Sequence, residues 1–412
     1  MASEPLRPLS RAQAIAYGFG NLGAQAVYAF LNQAVGLYLH RYPEIPTWAV
    51  GVLAQERSLA GAVVQPVVGA LSDRTRSPLG RRRPYLIAGA ALTAAALLYL
   101  ASFPPLVPML LVLSVNAFFL NVAVDPYVAL MADLVPPAQR GRVGTVLAIF
   151  NMAGQIAATL LGLFLWDRSP ELVFSLVALL LVVGFAVTSV GVREPAPPAA
   201  PPPASRFRLA AYLRGLAAER QLIRYVIAAL FFWLGTGGVL PYLTRFGVEV
   251  LGTSEGEAFQ LFLPAMAGTI VGAIPAGILA DRRGKRPVLA AGVLAFGLVA
   301  LVASQVQTVG QALVAMAFVG LANGVWTALN VPLLMDLVPR HRAGEVSGLA
   351  SAVWSFAQPV GALLAGLLID ASGSYRSSFI GAAVFVLVSF ALLLTLRPDS
   401  VTHPLDRNRG PA

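Results

Sequence analysis

The chain has 412 residues, of which 57% are apolar and 12% charged, with a mean hydropathy of +0.74. A soluble domain carries about 25% charged residues, so the composition excludes a water-soluble globule and points to lipid as the solvent. Cysteine is absent, and His40, His341 and His403 show no metal-ligand spacing, so disulfides, thiolate chemistry, metals and cofactors are not expected.

Long apolar stretches recur along the chain, many near the ~20 residues that cross a bilayer as helix. They predict an all-α membrane protein with twelve transmembrane helices. The first six lie near 12–39, 47–72, 84–103, 106–132, 141–165 and 171–193. The second six lie near 222–247, 256–281, 287–306, 309–335, 343–371 and 375–396. Residues 1–11 are short and polar, and the first apolar stretch is too long for the core of a cleavable signal, so the first helix is expected to be retained. The organisation expected is a six-helix half over 1–193, a linker over 194–221 and a second half with a short tail over 222–412. The linker holds a proline run that cannot enter helix or sheet, then a basic stretch (Arg206, Arg208, Arg214, Arg220) suited to an anionic membrane surface.

Of the 29 basic residues, 24 fall on one side of this topology; Arg41, Arg57, Arg168, Arg245 and Arg376 are the exceptions. Basic loops stay in the cytoplasm, so both termini and the linker are expected there, in a bacterial inner membrane. The net charge of +10 is then a topology signal, and no nucleic acid partner is implied. The halves repeat: Asp133-Leu-Val-Pro136 returns as Asp336-Leu-Val-Pro339, an offset of 203 that also maps Gly141 to Gly344, Gln155 to Gln358 and Asp167 to Asp370. Two such halves are what a carrier needs to rock about a central site.

Two loops carry a shared motif. One runs Gly69-Ala-Leu-Ser-Asp73-Arg74 and then Gly80-Arg81-Arg82-Arg83-Pro84. The other runs Gly277-Ile-Leu-Ala-Asp281-Arg282 and then Gly284-Lys285-Arg286-Pro287. Glycine would let helices approach closely, and each aspartate would meet an arginine and a helix N-terminus as a gating latch. Asp133 and Asp336 head loops with Arg140, Arg142, Arg340 and Arg342, with which gate salt bridges are expected. The pattern resembles the signature of the major facilitator superfamily, present in both halves. Ile45-Pro-Thr-Trp48, Val64-Gln65-Pro66, Ser72-Asp73-Arg74 and the Ala132-Asp133-Leu134 ending resemble the sucrose-transporter branch of the glycoside–pentoside–hexuronide:cation symporters. That resemblance implies proton-coupled sugar uptake. The branch usually carries an arginine in the fourth helix, where this chain reads Val124-Asp125-Pro126-Tyr127-Val128.

Polar residues inside the spans mark the candidate site. Tyr17, Asn21, Gln25, Tyr28 and Asn32 form one helical stripe, joined by Asn121, Asn151, Gln155, Trp233, Asn323, Trp326, Asn330, Trp354 and Gln358. Amides suit hydroxyls and indoles suit the C–H face of a sugar, whereas the plainer reading is interhelical packing. Asp125 and Glu56 are the proton-coupling candidates, because a charge inside a span defaults to function. Arg245 is expected to reach its charge out to the surface. The leading reading is a monomeric proton symporter for a mono- or disaccharide, with sodium the alternative ion. Its rivals are an exporter of amphipathic compounds and a non-transporting scaffold or sensor. No nucleophile–base pair points to an enzyme.

Overall fold

A computed structural model describes residues 8–192, 194, 219–338 and 343–396, and every regular element among them is helical. Ten helical stretches are long and apolar enough to cross a membrane, which makes the chain a multi-pass membrane protein. The other two expected spans begin at α1 (Arg11–Leu39) and at α2 (Thr47–Ala54) with α3 (Glu56–Arg74). At 29 residues α1 is long enough to cross; what lowers its hydropathy is the polar stripe. The remaining helices of the first half are α4 (Arg83–Leu100), α5 (Leu106–Leu134), α6 (Arg140–Leu165) and α7 (Pro170–Gly191). The second half has α8 (Arg220–Gly237), α9 (Leu243–Leu251), α10 (Phe262–Arg283), α11 (Lys285–Ala303), α12 (Val309–Asp336), α13 (Ala343–Ser372) and α14 (Arg376–Leu394).

Local chemistry sets the boundaries. Ser10 with Gln13, and Thr308 with Gln311, close capping boxes at the starts of α1 and α12. Gly284, at φ +88°, separates α10 from α11. Two spans expected to be continuous are broken. At Gln55 the backbone leaves the helix (φ −103°, ψ 10°), and its side chain donates to Asn32 Oδ1 at 2.8 Å. After Gly238 a short 3₁₀ turn over Leu240–Tyr242 precedes α9, because Pro241 lacks the N–H that a continuing α-helix needs.

The chain forms two compact units. The first comprises Met1–Ile45, Leu53–Ala204 and Thr253–Gln260; the second comprises Pro46–Val52, Ser205–Gly252 and Leu261–Ala412. Each unit thus takes one short segment from the other half of the sequence, and a repeated aspartate holds it. In the first unit Asp167 accepts hydrogen bonds from the Gly256 N–H at 2.7 Å and from the Ser254 hydroxyl, while Trp166 Nε1 donates to Glu255 at 2.7 Å. In the second, Asp370 accepts from the Trp48 N–H at 3.3 Å, and the Tyr242 hydroxyl donates to the Thr47 and Ala362 carbonyls at 3.1 and 2.8 Å. Both carboxylates cap N–H groups at the start of a helical segment, where negative charge is favoured.

Within the first unit the packing order is α6–α1–α7–α4–α5–α3, and within the second α13–α8–α14–α11–α12–α10. These are the same order under the sequence repeat. The α10–α12 contact depends on glycine. A Cβ at Gly268 or Gly272 would overlap the carbonyls of Ala317 and Leu321, and one at Gly320 or Gly324 those of Ala265 and Thr269. Small residues four apart on both helices bring the two backbones together. Gly320→Ala is therefore expected to lower stability by about 1–3 kcal/mol through overpacking, read as thermal unfolding of the purified chain in detergent. Gly69→Ala, where an added methyl meets nothing within 4 Å, should be neutral or stabilising by up to ~1 kcal/mol.

Candidate functional site

In the first unit the break at Gln55 turns the next two residues, Glu56 and Arg57, toward α1 and α5. A small cavity there is lined by Tyr28, Asn32, Glu56, Arg57 and Asn116, among apolar neighbours. The Arg57 guanidinium lies 5.1 Å from the centre of the Tyr28 ring, a cation–π contact. Asn121 donates to the Arg57 carbonyl at 3.1 Å, fixing α3 against α5. Asp125, one helical turn along α5, has Gln65 as polar neighbour and Arg57 as the cation acting on it, and Glu56 has Ser114 beside it. One carboxylate oxygen of Glu56, one of Asp125, Nε of Arg57 and both polar atoms of Asn116 are buried without a hydrogen-bond partner among the described residues. Asn116 is wholly buried. Buried polar groups are nearly always satisfied, so this set is an exception.

The other amides of this unit do different work. Asn21 donates to the Leu147 carbonyl of α6 at 2.7 Å, and Gln155 donates to Asn151 Oδ1 at 2.6 Å along one helix. Gln25 is half-buried and unbonded among the described residues. Tyr17 and Tyr127 exchange hydroxyl-to-carbonyl bonds at 2.9 and 2.7 Å, which ties α1 to α5. Of the first-helix stripe, only Tyr28 and Asn32 meet the charged cluster.

In the second unit Trp233, Trp326 and Trp354 form an aromatic cluster, with Trp233 6.0 Å from each of the other two ring centroids. Trp326 is 1% exposed and stacks on Phe232 at 3.8 Å, so it serves the core. Trp233 and Trp354 are half-buried, and the indole nitrogen of Trp354 has no partner among the described residues. Asn323 donates to Thr269 at 3.3 Å, the Asn330 carbonyl accepts from Tyr225 at 2.6 Å, and Gln358 is buried where α13 crosses Gly237 of α8. Arg245 does not reach for the surface: it is 4% exposed, pairs with Glu249 and faces the Tyr375 ring, because its short helix α9 packs inward.

The motif loops carry the remaining charges. Asp133 pairs with Arg81 at 2.6 Å and with Arg82 Nε at 2.8 Å, and Asp73 with Arg82 at 3.0 Å. Asp133 thus meets the arginines of the preceding loop in place of Arg140 and Arg142. Glu194 accepts from the backbone N–H groups of Arg81, Arg82 and Arg83 at 2.8–3.1 Å, closing the N-terminus of α4 below Gly80 (φ +105°). In the second unit Lys285 pairs with Asp336 at 2.7 Å, and Arg286 donates to the Leu393 and Leu394 carbonyls at the end of α14. Arg340 and Arg342 lie outside the described residues. Arg82 and Lys285 are partners in the repeat, as are their aspartates. Asp281 is exposed and forms no ion pair among the described residues, as are Arg74 and Arg282. Methyl groups at Gly69 and Gly277 would meet nothing within 4 Å, so these glycines do not serve the close approach expected of them; both helices are open on that face.

Asn116, Gln55 and Glu194 were not among the residues picked from the sequence. Asn116 lies five residues before Asn121 and so off its helical face, and Gln55 reads as one more polar residue until the helix breaks there.

A family profile described as MFS/sugar transport protein matches residues 16–398. Multidrug resistance protein MdtG of Escherichia coli is 30% identical over 177 residues, 40% of this chain and 43% of that protein. The chain therefore aligns with less than half the length of the curated relatives it matches. Among solved structures, a bacterial homolog of the human lysosomal transporter Spinster, inward-facing and occupied, is 15% identical with a TM-score of 0.73, covering 97% of this chain and 98% of its own. A D-xylose-proton symporter is 17% identical with a TM-score of 0.70 over 95% and 98% of the two chains. At these identities the structural likeness speaks for the fold.

The two ion-pair clusters differ in burial. Side-chain exposure is 13% and 7% for Arg81 and Arg82, and 19% for Asp133, against 35% and 45% for Lys285 and Asp336. Asp133→Ala removes the nearest partner of both Arg81 and Arg82, leaving only Asp73 as an ion-pair partner among the described residues, and is expected to destabilise by about 3 kcal/mol. Asp336→Ala should cost no more than ~1 kcal/mol. Thermal unfolding of both variants in detergent checks this, and equal losses would contradict the ranking.

Proposed function

The chain belongs to the MFS/sugar transport protein family, a family of membrane transporters and not of enzymes, and we propose that it is a proton-coupled symporter of a small hydroxylated solute. The observation that carries the reading is the incompletely paired cluster of Glu56, Arg57, Asp125 and Asn116. Glu56 and Asp125 each bury a carboxylate oxygen that is unbonded among the described residues, and Arg57 acts on Asp125, so negative charge inside the bundle is incompletely paired. Such a charge is expensive away from water, and taking up a proton removes it. Sodium is the weaker alternative, because Arg57 repels a cation from the same cavity.

Binding and release of the proton would change how strongly Arg57 is held by Asp125, and Arg57 is fixed to Tyr28 and Asn121 on the neighbouring helices. Proton occupancy is thereby linked to the packing of α1, α3 and α5, as coupled transport requires. In the first unit the amides of Asn116 and the half-buried Gln25 would suit solute hydroxyls, and in the second the half-buried Trp233 and Trp354 would suit a sugar's C–H face. The charge asymmetry of the loops supports cytoplasmic termini in a bacterial inner membrane, and the protein is taken to act as a monomer.

A second reading, export of amphipathic compounds, draws on the likeness to MdtG and on the aromatic cluster of the second unit. A scaffold or sensor would need no uncompensated buried carboxylate.

Labelled sucrose and maltose uptake into proteoliposomes, with and without an inward proton gradient, separates these. One pH unit is 1.36 kcal/mol, so it drives about tenfold accumulation at one proton per solute. Wild type is expected to accumulate sugar, and Asp125→Asn only to equilibrate it. Equal gradient response in Asp125→Asn would move the coupling role to Glu56, tested by Glu56→Gln. Failure of folded protein to move either sugar, with gradient-driven expulsion of an amphipathic dye, would replace the symport reading with export.

A further inference from the structure

The same corner of the two units is filled differently. In the first unit it lies where α4 begins and α7 ends, and the Glu194 carboxylate occupies it, bonded to the N–H groups of Arg81, Arg82 and Arg83. The repeat carries this corner to the start of α11 and the end of α14. The position 203 residues on from Glu194 is Arg397, so the repeat does not place a carboxylate there.

A cavity of about 610 Å³ stands there, lined by Arg220, Arg224 and Arg286 with Gln221 and residues Leu394–Leu396. Arg224 donates to the Thr395 carbonyl at 3.1 Å, and Arg286 to the Leu393 carbonyl at 3.1 Å and to that of Leu394. These bonds to the C-terminal end of α14 hold two guanidiniums in place and leave further N–H donors for the cavity. In the second unit Glu249 pairs with Arg245 and Asp336 with Lys285, and neither lines this cavity. The first N–H groups of α8, the helix that carries Arg220 and Arg224, receive no side-chain cap and add their positive end.

We infer that this pocket binds a phosphate-bearing anion, which takes the place that Glu194 fills in the first unit. Guanidinium forks match phosphate oxygens in pairs, and the pocket lies at the basic end of the helices, where headgroups of anionic lipids gather. The same chemistry would accept an anionic phospholipid headgroup or a free phosphate.

The test uses the purified full chain in mixed micelles, with retained phospholipid read by native mass spectrometry. Wild type is expected to retain phosphatidylglycerol over phosphatidylcholine. Arg220→Gln with Arg224→Gln should reduce that preference about twenty-fivefold, at about fivefold for each arginine near the headgroups. Arg76→Gln with Arg283→Gln removes equal charge from exposed positions and should leave the preference within about twofold of wild type. If inorganic phosphate competes the lipid off at millimolar concentration, the pocket takes free phosphate as well. If it does not, the lipid is its ligand. Absence of preference in wild type, or equal loss in the control pair, overturns the inference.

Discussion

A charge inside an apolar helical bundle must find a partner, because its desolvation costs several kcal/mol. The charged residues of this chain follow that constraint. Arg82 is buried and Arg81 partly so, and they share Asp133 and Asp73; Arg245 is buried and has Glu249; Asp167 and Asp370 sit on backbone N–H groups at helix starts. Against that background the cluster of Glu56, Arg57 and Asp125 stands apart, with carboxylate oxygens buried and unbonded beside the unbonded amide of Asn116. Other buried polar atoms are unbonded too, among them Thr93 Oγ1, Ser189 Oγ and the Trp354 indole nitrogen, but here the unbonded atoms include two carboxylate oxygens, which is why we propose this cluster as the place for a mobile proton.

The constraint also explains the irregularities of the backbone. Helix is the form that satisfies its own hydrogen bonds in lipid, and non-helical backbone is tolerated where it is buried in protein, as Gln55 and Tyr242 are. At Gln55 the side chain bonds Asn32, and the break delivers Glu56 and Arg57 to the cavity. At Leu240–Tyr242 the Tyr242 hydroxyl reaches the Thr47 and Ala362 carbonyls. Within each unit a capping aspartate holds the segment taken from the other half of the sequence, Asp370 on Trp48 and Asp167 on Gly256.

The sequence repeat has structural weight at three levels. It preserves the order in which helices pack, it preserves Arg82–Asp133 as Lys285–Asp336, and it preserves the two capping aspartates. It fails at Glu194, whose counterpart position is basic, and there the second unit has a cavity among arginines. Divergence at one position of an otherwise kept frame is informative because the surrounding geometry is held constant.

Hydropathy, loop charge and the offset of 203 residues were enough, from the sequence alone, to read helix class, membrane residence and the motif loops. These depend on local properties: apolar length, the side on which arginine falls, and spacing along one chain. Asp125 and Glu56 were also legible, since a carboxylate within an apolar run is conspicuous wherever it folds. Which amides bond a carbonyl and which stand free was decided only by tertiary structure. Asn21 and Asn116 look alike in the sequence, but the side chain of one bonds the Leu147 carbonyl and that of the other has no hydrogen-bond partner among the described residues. The break at Gln55, the partners of Asp133 and the burial of Arg245 belong to the same class. Each depends on what a neighbouring helix, remote in sequence, places within 3–4 Å, the range over which hydrogen bonds and ion pairs act.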